Sequence, residues 1–180
     1  MQLIATSHPD VMVLQPQVHG DHRGFFLETF RSSVFAASGL PDVFVQDNHS
    51  KSGAGILRGL HYQVRQPQGK LVRCISGEVF DVAVDIRKSS PHFGQWVGVH
   101  LSADNKLALW VPPGFAHGFL VLSASAEITY KCTTYYAPEH DRSLRWNDPD
   151  LNIAWPRTSE LVLSDKDRLA PSLQLAELFP

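Results

Sequence analysis

Short runs of alternating apolar and polar residues, separated by Gly, Pro, Asn and Asp, make up most of this chain. In residues 79–87, four large apolar residues fall on one side of a strand, while Asp81, Ala83, Asp85 and Arg87 fall on the other. Several short strands at such spacing predict an all-β sandwich or barrel. A polar strand face usually meets solvent, but inside a small barrel it can line the interior.

Length, charge and cysteine content limit the class of protein. The 180 residues suffice for one domain with a sizeable core, which we take to span residues 1–180. A net charge of -2 with scattered basic residues disfavours nucleic-acid or anionic membrane surfaces as partners. No apolar run approaches membrane-spanning length, and the N-terminus lacks a signal pattern. Two cysteines are too few for a disulfide scaffold, so we expect a soluble, reduced, cytoplasmic protein.

Three segments outside the clearest strands also carry local signals. Residues 11–14 predict the first strand, which ends before Pro16. Residues 32–38 predict a short helix with one of its first two serines as N-cap and Gly39 at its end. The apolar residues 173–179 predict a second helix.

The two cysteines indicate which strand faces point inwards. Cys74 shares a strand face with Lys70, and Cys132 shares one with Tyr130. Because free cysteine is usually buried, we expect both faces to line the interior. A lysine or tyrosine buried there needs a partner or a function.

Residues 57–63 contain His61, a candidate catalytic histidine in a predicted strand. In a strand, Gly59, His61 and Gln63 point the same way, so a ligand has room to approach the imidazole beside a carboxamide. A lone strand histidine is nevertheless more often structural, and the nine histidines show no HxH or HExxH pattern. From these residues alone, both interpretations stay open.

Two short motifs are similar to those of the cupin β-barrels. Pro112-x-Gly114-x-x-His117 resembles the second cupin motif, and Gly59-x-His61-x-Gln63 resembles a degenerate first one. A metal-binding cupin would have histidine at position 63 and a glutamate shortly after, where this chain has Gln63 and then Lys70. An ammonium repels a divalent cation, so the site is expected to use Lys70 as its positive charge.

Ordered motifs over nearly the whole length identify the chain as a member of the dTDP-4-dehydrorhamnose 3,5-epimerase family. The matching segments are Arg23-Gly24-Phe25-Phe26-x-Glu28, Gln46-Asp47-Asn48-x-Ser50, Leu57 to Gln63, Gln68-Gly69-Lys70, Phe80-Asp81-Val82-x-Val84-Asp85-x-Arg87, Pro113 to Phe119, Tyr130-Lys131 and Trp146-Asn147-Asp148-Pro149. The resemblance implies a cupin-like jelly-roll β-barrel with a few short peripheral helices. It also implies homodimers that exchange strands, and epimerisation of dTDP-4-dehydro-6-deoxy-D-glucose at C3 and C5 without a metal or other cofactor.

The resemblance assigns roles that fit this chemistry. Protons on C3 and C5 lie α to the C4 ketone, so the reaction needs a base, an acid on the opposite face and a cation at the developing oxyanion. His61 would be the base, with Asp167 as its carboxylate partner. Tyr130 would be the acid, and Lys70 would lie by the C4 oxygen with His117 as a second stabiliser.

Two of the carboxylates have alternative interpretations. Asp167 ends the segment Ser164 to Asp167, which by itself is typical of a helix-capping sequence. Asp81 is a candidate partner that would keep a buried Lys70 paired.

For substrate binding the resemblance implies a larger set of polar residues. They are Arg23, Glu28, Gln46, Asp47, Asn48, Arg58, Lys70, His117, Asp141 and Lys166. Arginine suits a pyrophosphate through bidentate hydrogen bonds. In a regular strand Arg58 would face away from His61, so it either follows a bulge or reaches a neighbouring subunit's site. Asp141, with Ser143 nearby, departs from the glutamate and glycine usual in the family, so a shorter carboxylate stands at that position.

Three other functions remain to be distinguished. A single-site epimerase of the same family would keep His61, Lys70 and Tyr130. A metal-dependent cupin is disfavoured by the missing histidine and glutamate ligands. A non-catalytic module that binds a sugar nucleotide is disfavoured because all the reacting groups are present.

Overall fold

The computed structural model describes residues 1–156 and 160–180, and these form thirteen strands, two short α-helices and one 3₁₀ turn. The strands are β1 (Gln2–Ala5), β2 (Met12–Gln15), β3 (Val18–Asp21), β4 (Gly24–Leu27), β5 (Gln46–Gly53), β6 (Leu57–Gln63), β7 (Lys70–Ser76), β8 (Glu78–Asp85), β9 (Trp96–Ser102), β10 (Ala108–Val111), β11 (Phe115–Val121), β12 (Ser125–Cys132) and β13 (Asp141–Ser143). The helices are α1 (Ser32–Ala37) and α2 (Asp165–Arg168), and the 3₁₀ turn spans Pro138–His140.

Two antiparallel sheets enclose the core. The first has the strand order β1-β2-β10-β7-β12-β5, and the second has the order β13-β6-β11-β8-β9. Alternate residues of both sheets meet between them, including Val72 and Ile128 from the first and Ala83 and Phe119 from the second. This confirms the predicted all-β barrel with short peripheral helices. Within the described residues no helix is long and apolar enough to cross a membrane.

The polar face of β8 lines the interior, as the barrel alternative requires. Asp81 and Asp85 are both fully buried. Asp85 accepts hydrogen bonds from Arg87 Nε at 2.8 Å and from the Ser90 hydroxyl at 2.5 Å. Burial tends to raise the pKa of this carboxyl, but the bonds from Arg87 and Ser90 outweigh it and lower the pKa to about 2. Cys74 and Cys132 are also buried, which confirms their predicted orientation.

The outer face of the second sheet is covered by the C-terminal segment. Leu173 and Phe179 pack there against a cluster of strand residues that includes Tyr62 and Val84. The predicted helix over residues 173–179 is therefore wrong: the segment forms only a turn after Ser172, and Phe179 pairs with Arg87 in a parallel bridge. Its apolar side chains are spread over the sheet surface rather than along one helical stripe.

Local predictions near the N-terminus need two corrections. The first strand is Gln2–Ala5, which pairs with β2, so the strand near residue 11 is the second. The N-cap of α1 is Arg31, without a side-chain cap, rather than a serine. Glu28 lies just beyond the end of β4.

Strands β3 and β4 form a separate two-stranded ribbon. Phe25 and Phe26 on this ribbon are 63% and 71% exposed. Large aromatic side chains exposed together on a ribbon are typical of a surface that meets another molecule.

Candidate active site

A cavity of about 360 Å³ opens between the two sheets; we call it the inner cavity. It is lined by Gln46, Asn48, His61, Tyr62, Gln63, Gln68, Lys70, Tyr130, Tyr136, Asp141 and Lys166. The six-stranded sheet contributes β5, β7 and β12, and the five-stranded sheet contributes β6 and β13. Side chains that are distant in sequence therefore converge on one small volume.

His61 and Asp167 form a hydrogen-bonded pair at one wall of the inner cavity. His61 Nε2 donates to Asp167 Oδ1 at 2.5 Å, and the carboxylate is only 3% exposed. Burial tends to raise the pKa of Asp167, but the bond to His61, its charge, and bonds from Ser164 and Gly59 hold it below the usual range. The bonded Nε2 leaves Nδ1 as the ring nitrogen for proton transfer.

Asp167 also belongs to a helix cap, so both interpretations of its sequence apply. The Ser164 hydroxyl accepts a hydrogen bond from the Asp167 backbone N–H at 3.2 Å, which is a typical N-cap contact. The capped helix α2 holds the Asp167 side chain against β6. Local helix chemistry thus positions a group of the site.

A bulge in β6 places Arg58 on the face of His61. His61 lies opposite His117, and Arg58 lies opposite Phe119, so β6 has one residue more than β11 over this stretch. Of the two expected alternatives for Arg58, the structure shows the bulge. Gly59 lies within it at φ 129°, and a Cβ there would come within 2.5 Å of the Gly118 Cα atom. Only glycine fits this close approach.

Lys70 projects from β7 into the inner cavity, where it is largely buried. Burial lowers the pKa of its ammonium. Among the described residues this ammonium makes no hydrogen bond or ion pair. Asp81, the expected partner, is instead bonded through Oδ1 to His117 Nε2 at 2.8 Å. The other oxygen of Asp81 is buried without a partner in the described part of the chain.

Tyr130 faces His61 from the opposite sheet. It lies on β12, next to the Asn48 position of β5, and its ring is only partly buried. Burial raises the pKa of its phenol, so the hydroxyl keeps its proton at neutral pH. An imidazole and a phenol thus approach the inner cavity from different sheets.

Tyr136, Asp141 and Lys166 lie together at the rim of the inner cavity, and the sequence does not predict Tyr136 as part of the site. Asp141 Oδ2 accepts from the Tyr136 hydroxyl at 3.1 Å and forms an ion pair with Lys166. The shorter Asp141 side chain thus reaches a cation at the rim. Tyr136 follows the end of β12, so strand alternation gives no sign of where it points. Gln68 also lines the inner cavity without having been predicted. Tyr62 contributes to the same wall, although its side chain packs on the outer face of the second sheet.

The Gln63 side chain forms hydrogen bonds to the backbone of two loops. Its Oε1 accepts from the Ala137 backbone N–H at 2.9 Å, and its Nε2 donates to the Gln66 carbonyl at 2.9 Å. The carboxamide that stands at the metal-ligand position of the motif therefore ties two loops together. Among residues 1–156 and 160–180, no group of three or more His, Cys, Asp or Glu is placed to hold a metal ion.

Five residues of the predicted binding set are not among those that line the inner cavity. Arg58 lies on β6 with His61, His117 lies opposite His61 on β11, and the other three are Arg23, Glu28 and Asp47. Arg23 and Glu28 are on or beside the exposed ribbon, where Arg23 pairs with Asp21. Glu28 pairs with Arg31. Asp47 points to the outer face of the first sheet, where it pairs with Lys131 beside a second groove of about 350 Å³. Their roles stay predictions.

Comparison with known proteins places the chain in a family. The family model of dTDP-4-dehydrorhamnose 3,5-epimerase matches residues 5–175. A Pseudomonas aeruginosa protein named dTDP-4-dehydrorhamnose 3,5-epimerase is 58% identical over 173 residues, 96% of each chain.

Solved structures agree with this match. The Legionella pneumophila dTDP-6-deoxy-D-glucose-3,5-epimerase, in complex with dTDP-4-keto-L-rhamnose, has a TM-score of 0.96 and 52% identity, covering 98% of this chain and 94% of that one. A 3′-monoepimerase of Streptomyces bikiniensis, in complex with dTDP-quinovose, has a TM-score of 0.88 and 38% identity, covering 94% and 86%. With its jelly-roll barrel and these matches along nearly its full length, the chain belongs to the dTDP-4-dehydrorhamnose 3,5-epimerase family.

Proposed function

We propose that this protein converts dTDP-4-dehydro-6-deoxy-D-glucose to dTDP-4-dehydro-L-rhamnose by epimerisation at C3 and C5, a step of dTDP-L-rhamnose biosynthesis. The observation that carries this is the arrangement of the inner cavity. His61 of one sheet is paired with Asp167 of α2, and Tyr130 lies on the other sheet. The Lys70 ammonium lies between the two sheets without a partner in the described chain. That set meets the needs of proton transfer beside a ketone.

In the proposed mechanism His61 Nδ1 takes the proton from C3 or C5. The electron pair of the broken C–H bond moves into the ring, and the C4 carbonyl oxygen becomes an enolate oxygen beside the Lys70 ammonium. Asp167 stabilises the imidazolium that forms. Tyr130 returns a proton to the carbon from the opposite face, the C4 ketone re-forms and the centre inverts. His61 then releases its extra proton to solvent, and the Tyr130 phenolate takes one from solvent. No redox step occurs, and His117 acts as a second stabiliser.

The nucleotide part of the substrate is proposed to lie towards the rim. Arg58 and Lys166 provide cations for the pyrophosphate, and Gln46, Asn48 and Asp141 provide hydrogen-bonding groups. We propose that one domain of residues 1–180 carries the whole activity. A cytoplasmic location stays a prediction from composition.

We further propose a homodimer in which the β3–β4 ribbon of each protomer completes the cavity of the other. The exposed Phe25 and Phe26, and the distance of Arg23 and Glu28 from their own inner cavity, support this. Co-expression of Lys70→Met with Arg23→Ala tests it, because mixed dimers then hold one intact site. Recovery of about a quarter of wild-type activity is expected from a random mixture. Monomers in light scattering, or no recovery from mixed dimers, would refute it.

The reaction is tested by incubating the protein with dTDP-4-dehydro-6-deoxy-D-glucose in deuterated water. Label at both C3 and C5 is expected, detected by mass spectrometry and NMR. Label at one carbon only would favour the single-site alternative, which is worth distinguishing because a 3′-monoepimerase shares this fold. No exchange at either carbon would exclude both.

A further inference from the structure

We propose that Cys132 is a positioning residue for the reaction: its thiol holds the Asn48 carboxamide and forms the wall against which the Lys70 ammonium lies. The inference rests on the proposed function and adds a residue to it. Cys132 is fully buried at the end of β12.

Cys132 stands in the middle of a row that crosses three neighbouring strands. Gln46 of β5 lies directly opposite it on one side, and Lys70 of β7 lies directly opposite it on the other. Opposed residues of antiparallel strands point to the same face, with Cβ atoms about 4.5–5.5 Å apart. The sulfur therefore lies between two polar side chains of the inner cavity.

The thiol is also the end of a chain of hydrogen bonds. Asn48 Nδ2 donates to Cys132 Sγ at 3.5 Å, and Asn48 Oδ1 accepts from Gln46 Nε2 at 3.0 Å. Gln46 Oε1 in turn accepts from the Tyr136 backbone N–H at 2.9 Å. This chain fixes the orientation of the Asn48 carboxamide, since both ends of that group are engaged.

A thiol suits this position because sulfur is a weak hydrogen-bond acceptor. A hydroxyl or carboxylate at position 132 would bind the Lys70 ammonium and compete with the enolate oxygen. Burial raises the pKa of the Cys132 thiol, despite the nearby Lys70 charge, so the group stays neutral. The ammonium thus keeps its donors for the substrate while the wall keeps it in place.

The test compares Cys132→Ser and Cys132→Ala with Cys74→Ser and Cys74→Ala. Cys74 is a matched control because it is equally buried, also points inwards and lies on β7, four residues beyond Lys70. At a strand rise of about 3.3 Å per residue it is roughly 13 Å from that lysine. Its thiol donates to the Ser76 and Gly77 carbonyls instead.

The readouts are kcat, the alkaline limb of kcat/KM against pH, and the melting temperature. C132S is expected to move the alkaline limb to a higher pH by about half a pH unit, because a hydroxyl stabilises the charged Lys70 ammonium. C132A is expected to move the limb to a lower pH by a similar amount. Both should lower kcat about tenfold. The Cys74 variants should lower the melting temperature and leave the limb in place.

An unmoved limb in both Cys132 variants, or the same movement in all four variants, would overturn the proposal. If C132A does not fold, C132S alone decides, since an unmoved limb and wild-type kcat there contradict the role. Wild-type protein without epimerase activity would instead refute the proposed function, so the two failures are distinguishable.

Discussion

Replacing Asp167 with asparagine removes the charge beside His61 and keeps the shape of the side chain. The carboxylate is buried and lies 2.5 Å from Nε2, so it meets the imidazolium with little screening by water. Breaking a buried charged pair typically costs about 3–5 kcal/mol. In the proposed mechanism His61 gains a proton in the transition state, where the carboxylate acts on it most strongly, so we assign most of that cost to the transition state. A loss of about 3–4 kcal/mol corresponds to a fall in kcat of roughly 10²–10³-fold.

The assay is the initial rate of deuterium incorporation at C3 and C5, with the melting temperature measured alongside. Asp165→Asn is the matched control, because Asp165 lies on the same helix, is 87% exposed in its side chain and pairs with the exposed Arg168. It should change the rate by less than about twofold. A folded Asp167→Asn protein within about threefold of wild type would refute the dyad.

The same substitution has a pH-dependent effect on stability. The pKa of Asp167 is lowered by folding, so its charge contributes stability that is present above the usual range for aspartate and is lost as the pH falls through the lowered value. The difference in unfolding free energy between wild type and Asp167→Asn should therefore be largest near pH 7 and shrink in acid. A difference that grows in acid would contradict the sign.

Three further predictions concern the backbone, the cation and the acid. Gly59→Ala should lower the free energy of unfolding by about 3 kcal/mol, which lowers the melting temperature by roughly 6–12 °C. Gly24→Ala should lower it less, because Gly24 has φ 130° but open space around it. Equal losses in the two variants would contradict the role of the close approach to Gly118. In wild type, the alkaline limb of kcat/KM should lie below the ordinary lysine pKa of 10.5, because burial lowers the pKa of Lys70; a limb at or above that value would contradict the assignment. Tyr130→Phe should impair net inversion more than isotope exchange, and a wild-type rate of epimerisation would exclude Tyr130 as the acid.

The sequence predicts the strands better than what happens between and after them. Alternation in residues 79–87 separates the two faces of the strand, because burial imposes a period of two, but it leaves open which face points inwards. The two cysteines correctly indicate the inward faces of β7 and β12. The bulge at Gly59 is not readable in this way, since it depends on the close approach of β11. Tyr136 is missed because it lies beyond the end of its strand.

The helix predicted for the C-terminal segment is wrong for a related reason. Its apolar residues are as dense as those of a helix, but the surface they meet is a flat sheet. Whether such residues form a helical stripe is decided by the tertiary partner rather than by local pattern. For the candidate site, motif resemblance rather than periodicity selects His61 and Asp167. The structure adds their hydrogen bond and the cap at Ser164.

The C-terminal segment covers the second sheet and also delivers Lys166 and Asp167 to the inner cavity. When the C-terminal segment docks on the second sheet, it therefore also forms the His61–Asp167 pair. A local opening that releases the segment from β6 would leave the barrel standing but remove the carboxylate from His61. The fraction of active protein then equals the fraction in which the C-terminal segment is docked. Mild denaturant should therefore abolish turnover before the barrel unfolds.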